Sequence, residues 1–187
     1  MSARILSPLL AVVTTVACAL PAAVASTPIE DYPSYQPATR CAPHAKPGTA
    51  MLGRWIVRRY GGGFGGISRS CRRHGTSEHH EGRAFDWTVS ATKAADRERV
   101  RQFLRHLFAT DKAGNTDARA RRMGVMYVIW NDHMYSAWDG YEAEPYKSSS
   151  CRRIRTCSPT LRHRDHVHIS LTRKAARGET SWYVSRR

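Results

Sequence analysis

Residues 125–138 read VMYVIWNDHMYSAW, and this stretch decides the fold class. The segment 125–130 is rich in residues that favour β-strands, and the segment 134–138 has the same character. Asn131 and Asp132 stand between the two segments, and both residues are common in tight turns. The stretch therefore predicts a β-hairpin, and with it an antiparallel sheet.

The segments on either side of this hairpin carry helical or extended patterns. The residues Leu52, Trp55, Ile56 and Tyr60 recur at helical spacing, and the glycines that follow end this helix. The predicted helices cover 48–60, 93–109 and 116–122. The other predicted strands cover 65–68, 84–89 and 166–171, and 139–162 is expected to be irregular. This mixture predicts an α+β fold, in which a small antiparallel sheet is flanked by helices.

The N-terminus has the pattern of a secretory signal peptide. Arg4 gives a positive start, an apolar run follows, and Ala23-Val24-Ala25 has the small residues that a signal peptidase recognises. The sequence therefore predicts a signal peptide at 1–25, an extended lead-in at 26–47 and one domain at 48–187, with no membrane span. Lipid attachment at Cys18 is the alternative to clean secretion.

Four cysteines remain after cleavage at residue 25, and none of them forms a CxxC pair. An even number of cysteines in an exported chain indicates disulfides. Three pairings are possible. Because Cys151 and Cys157 flank a short turn-like segment, we expect them to pair with each other and Cys41 to pair with Cys71.

The chain is strongly basic. Removal of Arg4 with the signal peptide leaves 29 Lys and Arg against 15 Asp and Glu, a net charge of +14. Such a surface attracts polyanions, which include anionic wall polymers, nucleic acid and anionic membranes. Charge alone does not choose among them, and a basic surface that only keeps the protein soluble is also consistent with it.

Two histidine-containing clusters carry candidate chemistry. The first is 77–86, SEHHEGRAFD, and the second is 163–168, HRDHVH. A catalytic zinc takes three His or carboxylate ligands and leaves one position open. Asp86 is expected on a strand and His79 in the loop before it, with Gly82 allowing a tight turn. His166 and His168 lie two apart, so on a strand they share one face.

The first cluster resembles the His-x-x-Gly-x-Ala-x-Asp motif of the D-Ala-D-Ala carboxypeptidase and LAS group of zinc peptidases. The second cluster resembles that group's second motif, in which an acid three residues before the ligand overlaps His-x-His. The segment 124–130 and its hairpin are similar to an uncharacterised secreted actinobacterial branch of this superfamily. The resemblance covers about 48–172.

The resemblance implies a role for individual residues. His79, Asp86 and His168 are the implied zinc ligands, and Asp165 and His166 are the implied catalytic pair. Asp165 is the preferred general base and His166 the group that stabilises the oxyanion, although Asp165 stands where many of these peptidases have a longer glutamate. The two roles therefore remain open between these side chains.

The resemblance also implies a substrate-binding arginine before the first motif and a serine at position 77. Arg69 is preferred over Arg72 and Arg73 as the group that holds a substrate carboxylate, and Ser77 is the matching serine. A planar guanidinium suits a carboxylate, but these arginines are equally consistent with a purely surface role.

These observations favour a secreted, monomeric zinc peptidase that acts on peptide bonds of peptidoglycan, outside the cell or at the wall. The alternative is a non-catalytic basic module of the same fold that binds cell-wall polymers or nucleic acid. A candidate base beside a full ligand set favours the enzyme, since a binding module has no need of one.

Overall fold

The computed structural model describes residues 29–72 and 76–186, which form helices around one antiparallel sheet. The helices are α1 (Pro47–Tyr60), α2 (Ala94–Leu107), α3 (Ala118–Met123), α4 (Arg173–Ala176) and α5 (Ser181–Val184). The strands are β1 (Gly63–Gly66), β2 (Ala84–Thr88), β3 (Val125–Trp130), β4 (His133–Ser136), β5 (Ala143–Pro145) and β6 (His166–Leu171). Within the described residues the strand order is β1-β2-β6-β3-β4-β5, with every neighbouring pair antiparallel. The prediction of an α+β fold is confirmed.

The hairpin that the sequence predicts joins β3 to β4. Its last pair is Trp130 with His133, and the two turn residues between them, Asn131 and Asp132, have φ angles of 47° and 65°. Two successive residues with positive φ are typical of the two-residue turn that matches the twist of a β-hairpin. The polar pair therefore sets the register of the sheet at this edge.

β6 lies in the middle of the sheet, between β2 and β3. Val167, Ile169 and Leu171 are fully buried, and they share a core cluster with residues of α1 and α2. His168 and Ser170 alternate with them and point to the other face. Burial of each aliphatic side chain contributes about 1.5–3 kcal/mol, so the core fixes which face of β6 its histidines occupy.

The helix predictions are confirmed to within a few residues at each end. Leu52 and Ile56 of α1 are fully buried, and Val100, Phe103 and Leu107 of α2 are nearly so. These residues cover the sheet face opposite His168. The helical layer therefore closes one side of the sheet and leaves the other side to the polar residues.

Three strand boundaries differ from the sequence predictions. β1 begins two residues earlier than expected. This glycine-rich segment packs closely on β2, and a Cβ at Gly65 would lie 2.6 Å from the Asp86 carbonyl oxygen. β4 ends at Ser136, and Trp138 lies in a short 3₁₀ helix. β5 lies inside the stretch expected to be irregular. It is an exposed edge strand that pairs only with β4, so no buried apolar residues mark it.

The described part of the lead-in, 29–46, has no helix or strand, but it is fastened to the fold. The Gln36 carbonyl accepts a hydrogen bond from the Arg83 guanidinium, and the Gln36 side chain accepts one from the backbone N–H of Arg173 at 2.9 Å. Glu30 accepts hydrogen bonds from Ser181 in α5. The lead-in therefore packs as part of the domain, while the predicted signal peptide and Cys18 lie outside the described residues.

The predicted disulfide pairing is confirmed, with Cys41 bonded to Cys71 and Cys151 bonded to Cys157. Two disulfides are compatible with an extracellular protein. Among residues 29–72 and 76–186, no helix has both the length and the apolar character needed to cross a membrane.

Glu81 and Arg83, just before β2, form a buried ion pair. Glu81 accepts hydrogen bonds from the Arg83 Nε at 2.6 Å, from the Thr39 backbone N–H at 2.9 Å and from the Arg173 guanidinium at 3.2 Å. Burial alone would raise the pKa of the Glu81 carboxyl, but these donors outweigh it and lower the pKa to about 2. Glu81 is therefore ionised in the folded protein at all but strongly acidic pH.

Glu81→Gln is expected to lower the free energy of unfolding by about 3 kcal/mol at pH 7, because it removes the nearer of the two carboxylates that pair with the buried Arg83 guanidinium, the other being Glu78 at 3.8 Å. The folded-state pKa lies below the ordinary value of 4.5, so the contribution of Glu81 is complete above pH 4.5 and is lost as the pH falls from there toward 2. Urea unfolding at several pH values should show that the free energies of unfolding of the wild type and the variant converge as the pH falls through that window. The exposed control Glu142→Gln should have the free energy of unfolding of the wild type at every pH. A difference between Glu81→Gln and the wild type that stays constant with pH would contradict the link between Glu81 ionisation and stability.

Candidate metal centre

Two neighbouring strands bring Asp86 and His168 together. Asp86 in β2 is paired directly with His168 in β6, so both side chains leave the sheet on the same face. The adjacency of these two strands, which a single site shared by the two clusters requires, is therefore present in the structure.

His79 approaches the same point from a short 3₁₀ helix, Glu78–Glu81. The Ser77 hydroxyl begins this helix by accepting a hydrogen bond from the His79 backbone N–H at 3.4 Å. Gly82 ends it with a φ of 65°, and a Cβ at this position would lie 1.9 Å from the His44 carbonyl oxygen. Only glycine fits this turn, which aims His79 at the two strands.

The three side chains bring one ligand atom each to a common point. His79 Nε2 lies 3.1 Å from Asp86 Oδ1 and 3.3 Å from His168 Nδ1, and His168 Nδ1 lies 3.1 Å from Asp86 Oδ1. Ligands about 2.0–2.1 Å from a tetrahedral zinc are separated by about 3.3 Å. The spacing therefore fits a single ion that touches all three atoms.

The hydrogen bonds of the two histidines support the same conclusion. His79 Nδ1 lies 2.7 Å from the Ile67 carbonyl oxygen, to which it donates, so a neutral His79 has its lone pair on Nε2. His168 Nε2 lies 2.8 Å from the Ser170 hydroxyl, which leaves Nδ1 toward His79. A histidine whose other nitrogen is held in this way is the usual arrangement of a metal ligand.

The charge states also suit a cation. Burial alone would raise the pKa of Asp86, but its close contacts with the His168 and His79 rings hold it well below its ordinary value. Burial lowers the pKa of His168. Ionised carboxylates and neutral imidazoles are both among the ligands that zinc takes in proteins, so the described residues could hold such an ion.

Asp165 and His166 form a hydrogen-bonded pair at the edge of this cluster. His166 Nδ1 lies 2.7 Å from Asp165 Oδ1, and His166 Nε2 lies 3.8 Å from Asp86 Oδ1. Asp165 also accepts a hydrogen bond from Thr160 at 2.5 Å, and its side chain is 46% exposed. His166 therefore faces the candidate metal centre, and Asp165 contacts it through His166. The sequence preference for Asp165 as the base stays a prediction, and this geometry favours His166.

A cavity of about 480 Å³ opens beside His168, the one of the three candidate ligands that lines it. Arg69, Ser77 and His166 all line it, as the sequence analysis expects of site residues. The Arg69 side chain forms no ion pair with any acidic residue in the described part of the chain. Arg72 is exposed, and Arg73 lies outside the described residues. Arg69 is thus the candidate arginine that the structure places at the site.

His163 belongs to the site, although the sequence analysis does not include it. Its ring lies 4.7 Å from the His166 ring and 5.7 Å from the His168 ring, and it lines the cavity. Burial, followed by the neighbouring His168 and His166, lowers the pKa of His163 to about 2. The only sequence signal for this role is weak: His163 is a third histidine in the second cluster. It precedes the predicted strand 166–171, so the alternation of that strand does not place it on the face of His166 and His168.

Three buried polar atoms in the cavity lining have no hydrogen-bond partner among the described residues: Glu78 Oε1, His80 Nε2 and His163 Nδ1. The other Glu78 oxygen accepts a hydrogen bond from the Tyr127 hydroxyl at 2.6 Å, and burial raises the pKa of that hydroxyl. An unsatisfied buried polar atom costs about 1–3 kcal/mol. Such atoms suit a cavity that takes a polar ligand.

A family model described as the C-terminal domain of VldE matches residues 41–153, which is more than half of the chain. This chain belongs to the VldE C-terminal domain family. No curated protein and no solved structure shows a significant match to it. The segment that matches the VldE family contains His79 and Asp86 but ends before β6, so the third candidate ligand, His168, comes from the chain beyond it.

His79→Ala, Asp86→Ala and His168→Ala should each lose a bound zinc that the wild type holds at about one ion per chain, because three ligands are the minimum for a catalytic site. Metal analysis after zinc supplementation and dialysis tests this. His133→Ala is the matched control, since the His133 side chain is exposed and, within 29–72 and 76–186, hydrogen-bonds only to the Asn131 carbonyl. A wild type without bound transition metal, or equal zinc loss from the control, would exclude the site.

Proposed function

We propose that this protein is a secreted zinc-dependent peptidase that hydrolyses peptide bonds in peptidoglycan stem peptides or cross-links. The observation that carries the proposal is the convergence of His79, Asp86 and His168 at 3.1–3.3 Å beside the His166–Asp165 pair. The resemblance of both sequence clusters to the LAS-type zinc peptidases supports it. The signal-peptide pattern at 1–25 and the two disulfides support export.

The chemistry that zinc supplies in such a site is polarisation of a carbonyl group and activation of water for attack. In this proposal His166 Nε2 accepts the proton of the attacking water and returns it to the departing amine nitrogen. Asp165 accepts the hydrogen bond of His166 Nδ1, so it holds the ring with Nε2 toward the cavity and stabilises the ring when it is protonated. Asp165 is a positioning residue in this scheme.

Arg69 is the candidate group for a substrate carboxylate. It lines the cavity without an acidic partner among the described residues, and a guanidinium matches a carboxylate with two parallel hydrogen bonds. Ser77 also lines the cavity, but its hydroxyl already accepts the His79 backbone N–H. Ser77 therefore positions a candidate ligand and offers its remaining hydrogen to a substrate.

The strongly basic composition favours a second candidate function, that of a wall- or nucleic-acid-binding module without hydrolysis. The chain carries a formal net charge of +15, which accelerates the encounter with any polyanion. The two candidates differ in one measurable respect, because only the peptidase changes its ligand covalently.

Purified protein, incubated with peptidoglycan, should release peptide fragments whose masses correspond to cleavage of amide bonds. A chelator should abolish the release, and added zinc should restore it, because the bound metal would polarise the substrate carbonyl and activate the attacking water. Mass analysis of the soluble fraction identifies the bond that is cut. Zinc-loaded protein that binds the wall and releases no fragment would favour the binding module.

His166→Ala should keep its zinc and lower the hydrolysis rate by about 10²–10⁴-fold, because it removes the proton acceptor. Asp165→Ala should keep zinc and lose about 10–100-fold, the usual effect of removing the group that orients a histidine. Single-turnover rates with a defined stem peptide, read beside zinc content, test both.

His44→Ala is the control for a histidine change away from the cavity, since His44 is exposed. A larger loss for Asp165→Ala than for His166→Ala would reverse the two roles and make Asp165 the base. Wild-type rates in both variants would refute the mechanism.

A further inference from the structure

We propose that a second, cationic cavity of this protein binds a phosphate group. The cavity has a volume of about 340 Å³ and lies where the lead-in, the start of α1 and α4 meet. Its charged lining residues are Arg40, Lys46, Glu81, Arg83, Arg173 and Arg177. None of them lines the cavity beside the candidate metal centre, so this inference does not rest on the proposed peptidase function.

The charges of this cavity are strongly unbalanced, because five basic side chains line it against one carboxylate. That carboxylate, Glu81, is already occupied by Arg83, Arg173 and backbone N–H groups of the lead-in. It therefore has little capacity left to neutralise Arg40 or Lys46.

Two of the five cations have no acidic partner among the residues that the structure describes. Arg177 forms a two-point ion pair with Glu179 at 2.8 Å, and Arg173 contacts Glu81. No acidic side chain in the described ranges lies within ion-pair distance of the Arg40 guanidinium or the Lys46 ammonium group. Both residues line a concave surface, where a small anion can meet several donors at once.

The geometry favours phosphate over a carboxylate or a halide. A phosphate presents several oxygens in different directions, and guanidinium groups bind it through paired hydrogen bonds, while a lysine adds a point charge. Arg83 also lines the cavity and is 1% exposed, so the ligand would meet a partly dry surface where charge attraction is less screened.

The phosphate can come from a small molecule or from a phosphodiester polymer of the wall. Arg40 and Arg177 at the rim are exposed, so the cavity is open enough for a phosphate within a chain. Both sources share the same group, and inorganic phosphate and poly(glycerol phosphate) are therefore the two probes.

Isothermal titration of the full chain at constant ionic strength, set with chloride, should show saturable binding of at least one probe. The double variant Arg40→Ala/Lys46→Ala should weaken that binding by about tenfold or more, as expected for the loss of hydrogen bonds between charged groups. Tighter binding of the polymer than of inorganic phosphate, at equal phosphate concentration, would identify a phosphodiester source, and the reverse order a small ligand.

The matched control is Arg54→Ala/Lys112→Ala, which removes the same charge from two exposed positions that line neither cavity. It should bind both probes as the wild type does. Equal weakening in the two double variants would show general charge attraction and overturn the site, as would the absence of saturable binding to the wild type. His79→Ala should still bind phosphate, which separates this site from the candidate metal centre.

Discussion

The direct pairing of Asp86 with His168 across β2 and β6 is the constraint on which the candidate site depends. A register shift by one residue would turn one of these side chains toward the helices and bury it among apolar residues. Val167 and Ile169 prevent that shift, because they are fully buried on the helix side of β6. The hydrophobic core therefore positions the polar site, even though it lies on the opposite face of the sheet.

A second constraint fixes the third side chain of the cluster. His79 lies in a 3₁₀ helix whose last residue, Glu81, is tied to the buried Arg83 guanidinium. Arg83 in turn donates to backbone carbonyls of Leu171 and of Gln36 in the lead-in. A buried charge is tolerated only when its hydrogen-bonding groups are satisfied, so a lead-in without regular secondary structure contributes to the position of His79.

The two cavities have opposite electrostatic character, although the short segment 78–83 contributes residues to both. At the candidate metal centre, lone pairs of two imidazoles and a carboxylate converge, which favours a cation. In the second cavity, the Arg40 and Lys46 charges lack acidic partners among the described residues, which favours an anion. A strongly basic chain that acts on an anionic wall would gain from both, since one site would retain the polymer while the other performs hydrolysis.

The sequence by itself determined the α+β class, the hairpin, the disulfide pairing and the candidate ligands His79, Asp86 and His168. Strand periodicity, turn residues and the short spacing of Cys151 and Cys157 are local properties of the chain, and the resemblance of the two clusters to the LAS-type zinc peptidases implied the three candidate ligands. Only the tertiary structure placed His163 in the cavity, put His166 rather than Asp165 against the candidate metal centre, and showed β5. These features depend on contacts between segments distant in sequence or on backbone pairing at an exposed edge of the sheet. The local pattern of amino acids predicts neither.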